Sequence, residues 1–308
     1  MKCRHCWTVS QDGASLAYWD EGSGPVIILT NGYANSTLYW EPVRRRLRER
    51  FRVIRWDLRG HGVSGAVRDH STMTVEGCAD DMRRVMDAAG VDRAVLAGFS
   101  FGSQIVLEAW RHFPERVAGL APVLGPYERP FDTLLHPRIG PLIFELYRRL
   151  PAVVWGYGLK FGALTPILKP IHVLARQLGI VGAEVTLEEM KPFYTHLAEL
   201  DLTSWYLMGL AAQRHSARDI LGEIEVPTLV VAGGRDRFSP GRLGREMAEM
   251  IPDSQLVWLK RATHTGLFDA RDQIADAMED FLSRIYEIGE DRDSPDGRVD
   301  QRDRVDAE

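Results

Sequence analysis

Thiols are scarce in this chain: three cysteines, Cys3, Cys6 and Cys78, among 308 residues. Cys3 and Cys6 form a CxxC with His5 between them. No second CxxC or paired histidines complete the four ligands zinc needs, and a redox CxxC opens a helix rather than lying at a chain terminus. Positive charge is not in excess either. With 38 Lys and Arg against 43 Asp and Glu, the net charge is −5, which leaves no basic footprint for nucleic acid. No uninterrupted apolar run reaches membrane-span length, and Met1 to Cys6 lack the apolar core of a signal peptide, so a soluble, cytoplasmic protein is expected. Hydrophobic residues at 45% and charged residues at 26% exclude a disordered or fibrous chain. The length allows one large α/β domain with an insertion, or two domains.

What is present centres on residues 95–104, VLAGFSFGSQ: an apolar run, a GxSxG pentapeptide, then apolar residues at helical spacing. A serine on a strand-to-helix turn between two glycines is lifted clear of a parallel sheet as a nucleophile. Gly98 and Gly102 carry no Cβ, so the sharp turn is tolerated. By itself GxSxG is a common pentapeptide, and its meaning rests on whether the chain supplies a base, an acid and an oxyanion site.

Along the chain, residues 7–10 and 15–19 read as a hairpin, and Val26 to Thr30 as a strand buried on both faces. A helix near residues 38–50 precedes a strand at 51–57. Strands follow at 92–97, 117–124, 227–232 and 255–259, separated by helices near 74–89, 101–113 and 241–251. Eight strands alternating with helices predict a mostly parallel sheet. Residues 60–65, GHGVSG, satisfy the dinucleotide-binding pattern GxGxxG. That reading needs a helix opening on the glycines, and the next residues are polar and unpatterned.

Residues 125–222 break the alternation, with prolines at 137, 141, 151, 166, 170 and 192 and many aromatics, including Tyr147, Trp155, Tyr157, Phe161 and Trp205. They are read as an inserted helical cap whose aromatics mostly pack internally, a minority lining an apolar pocket. Contact of the 149–176 stretch with a membrane surface is the less favoured account of the same pattern. The last helix carries Ile274, Met278, Phe281 and Ile285 on one face, and residues 289–308 form a charged tail expected to be disordered. The expected organisation is therefore 1–124 and 223–288 as one core, with 125–222 inserted.

Three residues with complementary chemistry fall in loops after strands: Ser100, Asp236 and His264. The carboxyl ends of parallel strands face one crevice, so the three can converge. Imidazole has the pKa to take a serine proton, and a carboxylate fixes its tautomer. Taken singly, Asp236 is also good turn chemistry after Gly233 and Gly234, and His264 an ordinary loop histidine. Asp57 is a competing acid, whereas Asp269 follows His264 too closely.

Residues 15–288 resemble the α/β-hydrolase superfamily. The likeness lies in Asp57-Leu58-Arg59-Gly60-His61-Gly62-Val63-Ser64, similar to a DxRGxGxS loop, in Gly98 to Gly102, in Gly234-Arg235-Asp236, and in His264. The resemblance implies an eight-stranded α/β-hydrolase sheet flanked by helices with a helical cap, a Ser100–His264–Asp236 triad, and an oxyanion hole from the backbone N–H groups of Tyr33 and Phe101. Asn31-Gly32 stands where the family commonly has His-Gly, and Ser103 where many relatives have glycine. A serine nucleophile argues against the dehalogenase and epoxide hydrolase branches, which use aspartate. The expected function is cofactor-independent, metal-free hydrolysis of a small carboxylic ester with an apolar acyl or aromatic part. Acyl transfer, carbon–carbon hydrolysis and perhydrolysis use the same triad, and a non-catalytic ligand-binding homologue is the reading from another class. Oligomeric state is left open.

Overall fold

A computed structural model describes residues 4–151, 153–154 and 165–292. Eight strands form one sheet: β1 (Arg4–Val9), β2 (Ser15–Glu21), β3 (Val26–Thr30), β4 (Arg52–Trp56), β5 (Ala94–Phe99), β6 (Val117–Val123), β7 (Thr228–Gly233) and β8 (Ser254–Leu259). Their spatial order is β1-β2-β4-β3-β5-β6-β7-β8. Strands β3 to β8 run parallel, and the β1–β2 hairpin pairs antiparallel onto β4. The α/β-hydrolase sheet expected from the sequence is thus present. Cys6 lies on β1, whereas Cys3 falls outside the described residues.

The helices are α1 (Glu41–Leu47), α2 (Val75–Ala88), α3 (Phe101–His112), α4 (Gly140–Arg149), α5 (Thr165–Gln177), α6 (Leu187–Glu199), α7 (Leu202–Arg214), α8 (Gly241–Met250), α9 (Gly266–Asp269) and α10 (Arg271–Arg292). They cover both faces of the sheet, and the strands show why. In β3, Ile27 and Leu29 point into a core shared with Val43 and Leu47 of α1 and Ile274, Met278 and Phe281 of α10. Ile28 points the other way, into a core with Met82, Ile105 and Met247 of α2, α3 and α8. Side chains alternate along a strand, so an unbroken apolar run is what two covered faces require.

Local sequence sets the helix limits. Thr74 accepts the Gly77 N–H at 3.0 Å and starts α2, and Gly90, at φ +62°, ends it in the left-handed region. The helix expected near residues 38–50 divides into a 3-10 turn (Thr37–Trp40) and α1, where Pro42 occupies the first turn. The last helix runs through Gly289 to Arg292, past the point where the charged tail was expected to begin. Residues 293–308 lie outside the described part, as do Trp155, Tyr157, Phe161 and much of the 149–176 stretch. Helices α4 to α7 lie between β6 and β7. Among the described residues no helix is long and apolar enough to cross a membrane.

The GxGxxG segment opens no helix: Gly60 and Gly62 sit in turns at φ +71° and +53°, and α2 starts only at Val75. It is a packing device. Arg59, fully buried, donates from Nε to Asp81 (2.7 Å) and from Nη1 to Asp12 (3.1 Å) and Thr72 (2.6 Å). Gly62 leaves room for the Asp57 carboxylate, which a Cβ there would overlap. Gly62→Ala is accordingly expected to cost at least the ~1–2 kcal/mol of a left-handed alanine, plus the clash. A lowered midpoint in urea or thermal unfolding checks this; an unchanged midpoint contradicts it.

Candidate active site

The turn after β5 sets the site. Ser100 has φ +53° and ψ −117°, a strained conformation for a residue with a side chain. Three features hold it there. A Cβ on Gly98 would overlap the Gly102 carbonyl, so only glycine permits the close turn. The Ser100 N–H donates to the Val123 carbonyl of β6 at 2.9 Å, and the Ser103 hydroxyl donates to the Gly98 carbonyl at 2.9 Å. Ser103, where many relatives have glycine, is therefore a brace for the turn.

His264 Nε2 lies 3.0 Å from Ser100 Oγ, and its Nδ1 lies 2.8 Å from Asp236 Oδ2. A carboxylate only accepts, so Nδ1 carries the proton and Nε2 is left to accept from the serine hydroxyl. The other Asp236 oxygen accepts the N–H groups of Phe238 and Ser239, both at 2.8 Å, which locks the carboxylate in the loop after β7. The imidazole sits between two rings, Phe99 at 5.2 Å and Phe238 at 5.0 Å between centroids. Ser100, Asp236 and His264, placed by the sequence after three strands, are thus brought into one hydrogen-bonded chain.

The other acids have different partners. Asp57 is buried and accepts from the N–H groups of Thr37 (2.9 Å) and Val63 (3.1 Å). Its pKa is raised to about 6 because burial outweighs those hydrogen bonds. Asn31, in the place of the family's histidine, donates from its amide to the Trp56 carbonyl at 2.8 Å. Asp269 has a role that sequence reasoning missed. It accepts from the hydroxyls of Thr263 (2.6 Å) and Thr265 (3.2 Å), the two neighbours of His264, and burial raises its pKa. The Thr-His-Thr sequence with an aspartate four residues on was the available signal.

Phe101 is the first residue of α3, so its N–H has no acceptor within the helix. Tyr33 follows Gly32 in the loop after β3, and a Cβ on Gly32 would stand 3.0 Å from Ser100 Cβ. Both expected oxyanion donors therefore belong to segments that border Ser100. One aromatic layer away, Tyr39 packs tilted on Phe99 at 4.8 Å and borders a crevice of about 610 Å³ that is lined by Leu38, Phe193 and Phe268 together with charged side chains such as Glu41, Arg45 and Arg271, and by no triad residue.

Comparison with known proteins agrees with this architecture. Residues 25–138 match the model of the alpha/beta hydrolase fold, and residues 207–285 that of TAP-like proteins. A protein of Azorhizobium caulinodans assigned as carbamate hydrolase RutD is 30% identical over 251 residues, covering 82% of this chain and 88% of the relative. The chain belongs to the α/β-hydrolase superfamily. A pimeloyl-acyl-carrier-protein methyl ester esterase of Aliivibrio fischeri is 23% identical, covering 87% of this chain and 97% of its own. The crystal structure of a hydrolase from Pseudomonas aeruginosa superposes with a TM-score of 0.72 at 25% identity, covering 91% of this chain and 98% of that one. This α/β hydrolase is an enzyme, in the company of hydrolases and esterases.

A second buried pair joins α6 to the loop after β4. His61, in the loop after β4, and His196, on α6, have ring centroids 5.8 Å apart. Burial lowers the pKa of His61 from 6.5 to about 4 and that of His196 from 6.5 to about 3, the latter helped by the neighbouring imidazole. The unfolded chain therefore binds more protons below about pH 6.5, and the stability from keeping these rings neutral falls as pH drops from there toward about 4. Asp57 acts in the opposite sense and is common to both proteins compared. His196→Gln is expected to show a smaller loss of thermal midpoint than the native chain between about pH 7 and about pH 5. An equal loss in both removes the histidine pair as the cause.

Proposed function

We propose that this α/β hydrolase cleaves a carboxylic ester with an apolar acyl or aromatic part through an acyl-enzyme on Ser100. The observation that carries the reading is the unbroken chain from Asp236 through His264 to Ser100 Oγ, at 2.8 and 3.0 Å. In the first step Oγ bonds to the substrate carbonyl carbon while its proton passes to His264 Nε2. The N–H groups of Tyr33 and Phe101 take the developing oxyanion, and the positive end of α3 adds to the field. The carbon–oxygen bond to the leaving group then breaks as His264 returns the proton to the departing oxygen. Water, deprotonated by the same Nε2, releases the acid and restores Ser100. Asp236 holds the imidazole in the needed tautomer and stabilises its cationic form.

The rings against the triad, Phe99 and Phe238 beside His264 with Tyr39 on Phe99, support an apolar acyl group. The relative assigned as a carbamate hydrolase favours a second reading, attack by the same serine on a carbamate carbonyl. Ser100→Ala is expected to lower turnover of p-nitrophenyl acyl esters by at least about 10⁴-fold, and Asp236→Asn by about 10⁴-fold. Wild-type turnover by Ser100→Ala would sink the assignment. Medium acyl chains are expected to exceed acetate in kcat/KM, and a p-nitrophenyl carbamate in the same panel separates the two readings. A flat chain-length profile removes the apolar-acyl part.

A further inference from the structure

The oxyanion loop is fastened to the helices between β6 and β7 by a pair of tyrosine hydroxyls, one on the buried Tyr147 and one on the part-buried Tyr33. Tyr33 Oη lies 3.0 Å from Tyr147 Oη on α4 and 3.2 Å from the Trp205 carbonyl on α7. Tyr147 Oη lies 2.8 Å from the Tyr206 carbonyl. A hydroxyl carries one proton: Tyr147 donates to the Tyr206 carbonyl and accepts from Tyr33, so the Trp205 carbonyl is a close neighbour of Tyr33 Oη and not a second full acceptor. Burial raises the pKa of both phenols, so both remain donors across the working range of pH.

The backbone of α7 is shaped for this contact. Gly209 lies where the two hydroxyls meet the helix. A Cβ there would overlap the Tyr147 hydroxyl and stand 2.9 Å from that of Tyr33. The Tyr33 ring also stacks on Trp205 at 5.5 Å. At its other end the loop is pressed onto the nucleophile, since a Cβ on Gly32 would meet the Phe99 ring at 2.9 Å and Ser100 Cβ at 3.0 Å. Between these anchors Ala34 takes φ +60° and the Tyr33 carbonyl accepts from the Asn35 amide at 3.1 Å. The loop is thus held from the sheet side by sterics and from the cap side by hydrogen bonds through one side chain.

We propose that the Tyr33 side chain is a positioning residue that, through its hydroxyl contact with Tyr147, fixes the N–H of its own residue over Ser100 and makes that contact a determinant of oxyanion stabilisation. The proposal rests on the serine-hydrolase reading above. Small displacements of a donor matter because a preorganised N–H acts only within hydrogen-bond reach of the oxygen as it becomes charged. A whole oxyanion donor is worth a factor of about 10² to 10³ in turnover, so loosening one is expected to forfeit about tenfold.

The test uses the full chain and Tyr33→Phe, Tyr147→Phe, the double variant and Gly209→Ala, with Phe144→Leu as a packing control. Phe144 stacks on Tyr147 at 6.3 Å and takes no part in the hydroxyl network. Each is assayed for kcat and KM on a p-nitrophenyl ester, and for binding of an alkyl trifluoromethyl ketone, which forms a tetrahedral adduct with the serine. Binding of the matching unreactive alkyl alcohol serves as the ground-state reference. Tyr33→Phe is expected to lower kcat about tenfold with KM within about twofold, and to weaken the ketone by a similar factor while leaving the alcohol unchanged. Tyr147→Phe and Gly209→Ala should move the same ratio in the same direction, and the double variant should be no worse than Tyr33→Phe alone. Phe144→Leu should lower the melting midpoint without moving the ratio. Wild-type kcat and ketone affinity in Tyr33→Phe, or equal weakening of ketone and alcohol, overturns the proposal. Fluorophosphonate labelling of the wild type separates the two claims. Absence of label at Ser100 overturns both, whereas a labelled wild type matched in rate by Tyr33→Phe overturns the tether alone.

Discussion

The carboxyl edge of the sheet depends on one backbone position, the left-handed Ser100 at φ +53°. Such a conformation costs on the order of 1–3 kcal/mol and persists only where its surroundings over-determine it. Here they do. Strand β5 is buried along its whole length, α3 presents Phe101 to Ala109 to the core, and Gly98 meets the Gly102 carbonyl at a distance no Cβ allows. The strain raises the hydroxyl from the sheet and aims it at His264, and the same turn leaves the first N–H of α3 without an acceptor. The direction of the Ser100 hydroxyl and the placement of the Phe101 N–H thus share one cause.

Three aspartates surround this edge, and hydrogen bonding separates their tasks. Asp236 spends one oxygen on two backbone N–H groups and the other on the imidazole. Asp57 spends both on backbone N–H groups of neighbouring loops, and Asp269 gathers the threonines beside His264. A buried carboxylate must be matched by donors, so each one organises the loop that supplies them.

The helices between β6 and β7 meet this edge through aromatic faces and hydroxyls. Tyr147 touches Phe131, Phe144, Trp205 and Tyr206, and its oxygen meets Tyr33. Rings give the contact area at small entropic cost, while the hydroxyls demand a defined geometry. The His61–His196 pair is a second contact between the same two parts, neutral and sensitive to acid.

By itself the sequence determined the sheet and its punctuation. Unbroken runs such as Val26 to Thr30 leave no alternative to a strand covered on both faces, and Thr74, Gly90 and Gly98 mark their turns through chemistry local to a few residues. It also placed Ser100, Asp236 and His264 after their strands, since strand ends are local features. What it did not determine is which polar atoms meet. Asp269 looked too near His264 to matter, because its partners are the two threonines and its role emerges only when α9 folds back on the loop. Likewise nothing in the spacing of Tyr33, Tyr147 and Gly209 marks them as neighbours. Their meeting depends on how helices between β6 and β7 pack over the loop after β3, and contacts between residues more than a hundred positions apart are decided by packing of whole elements.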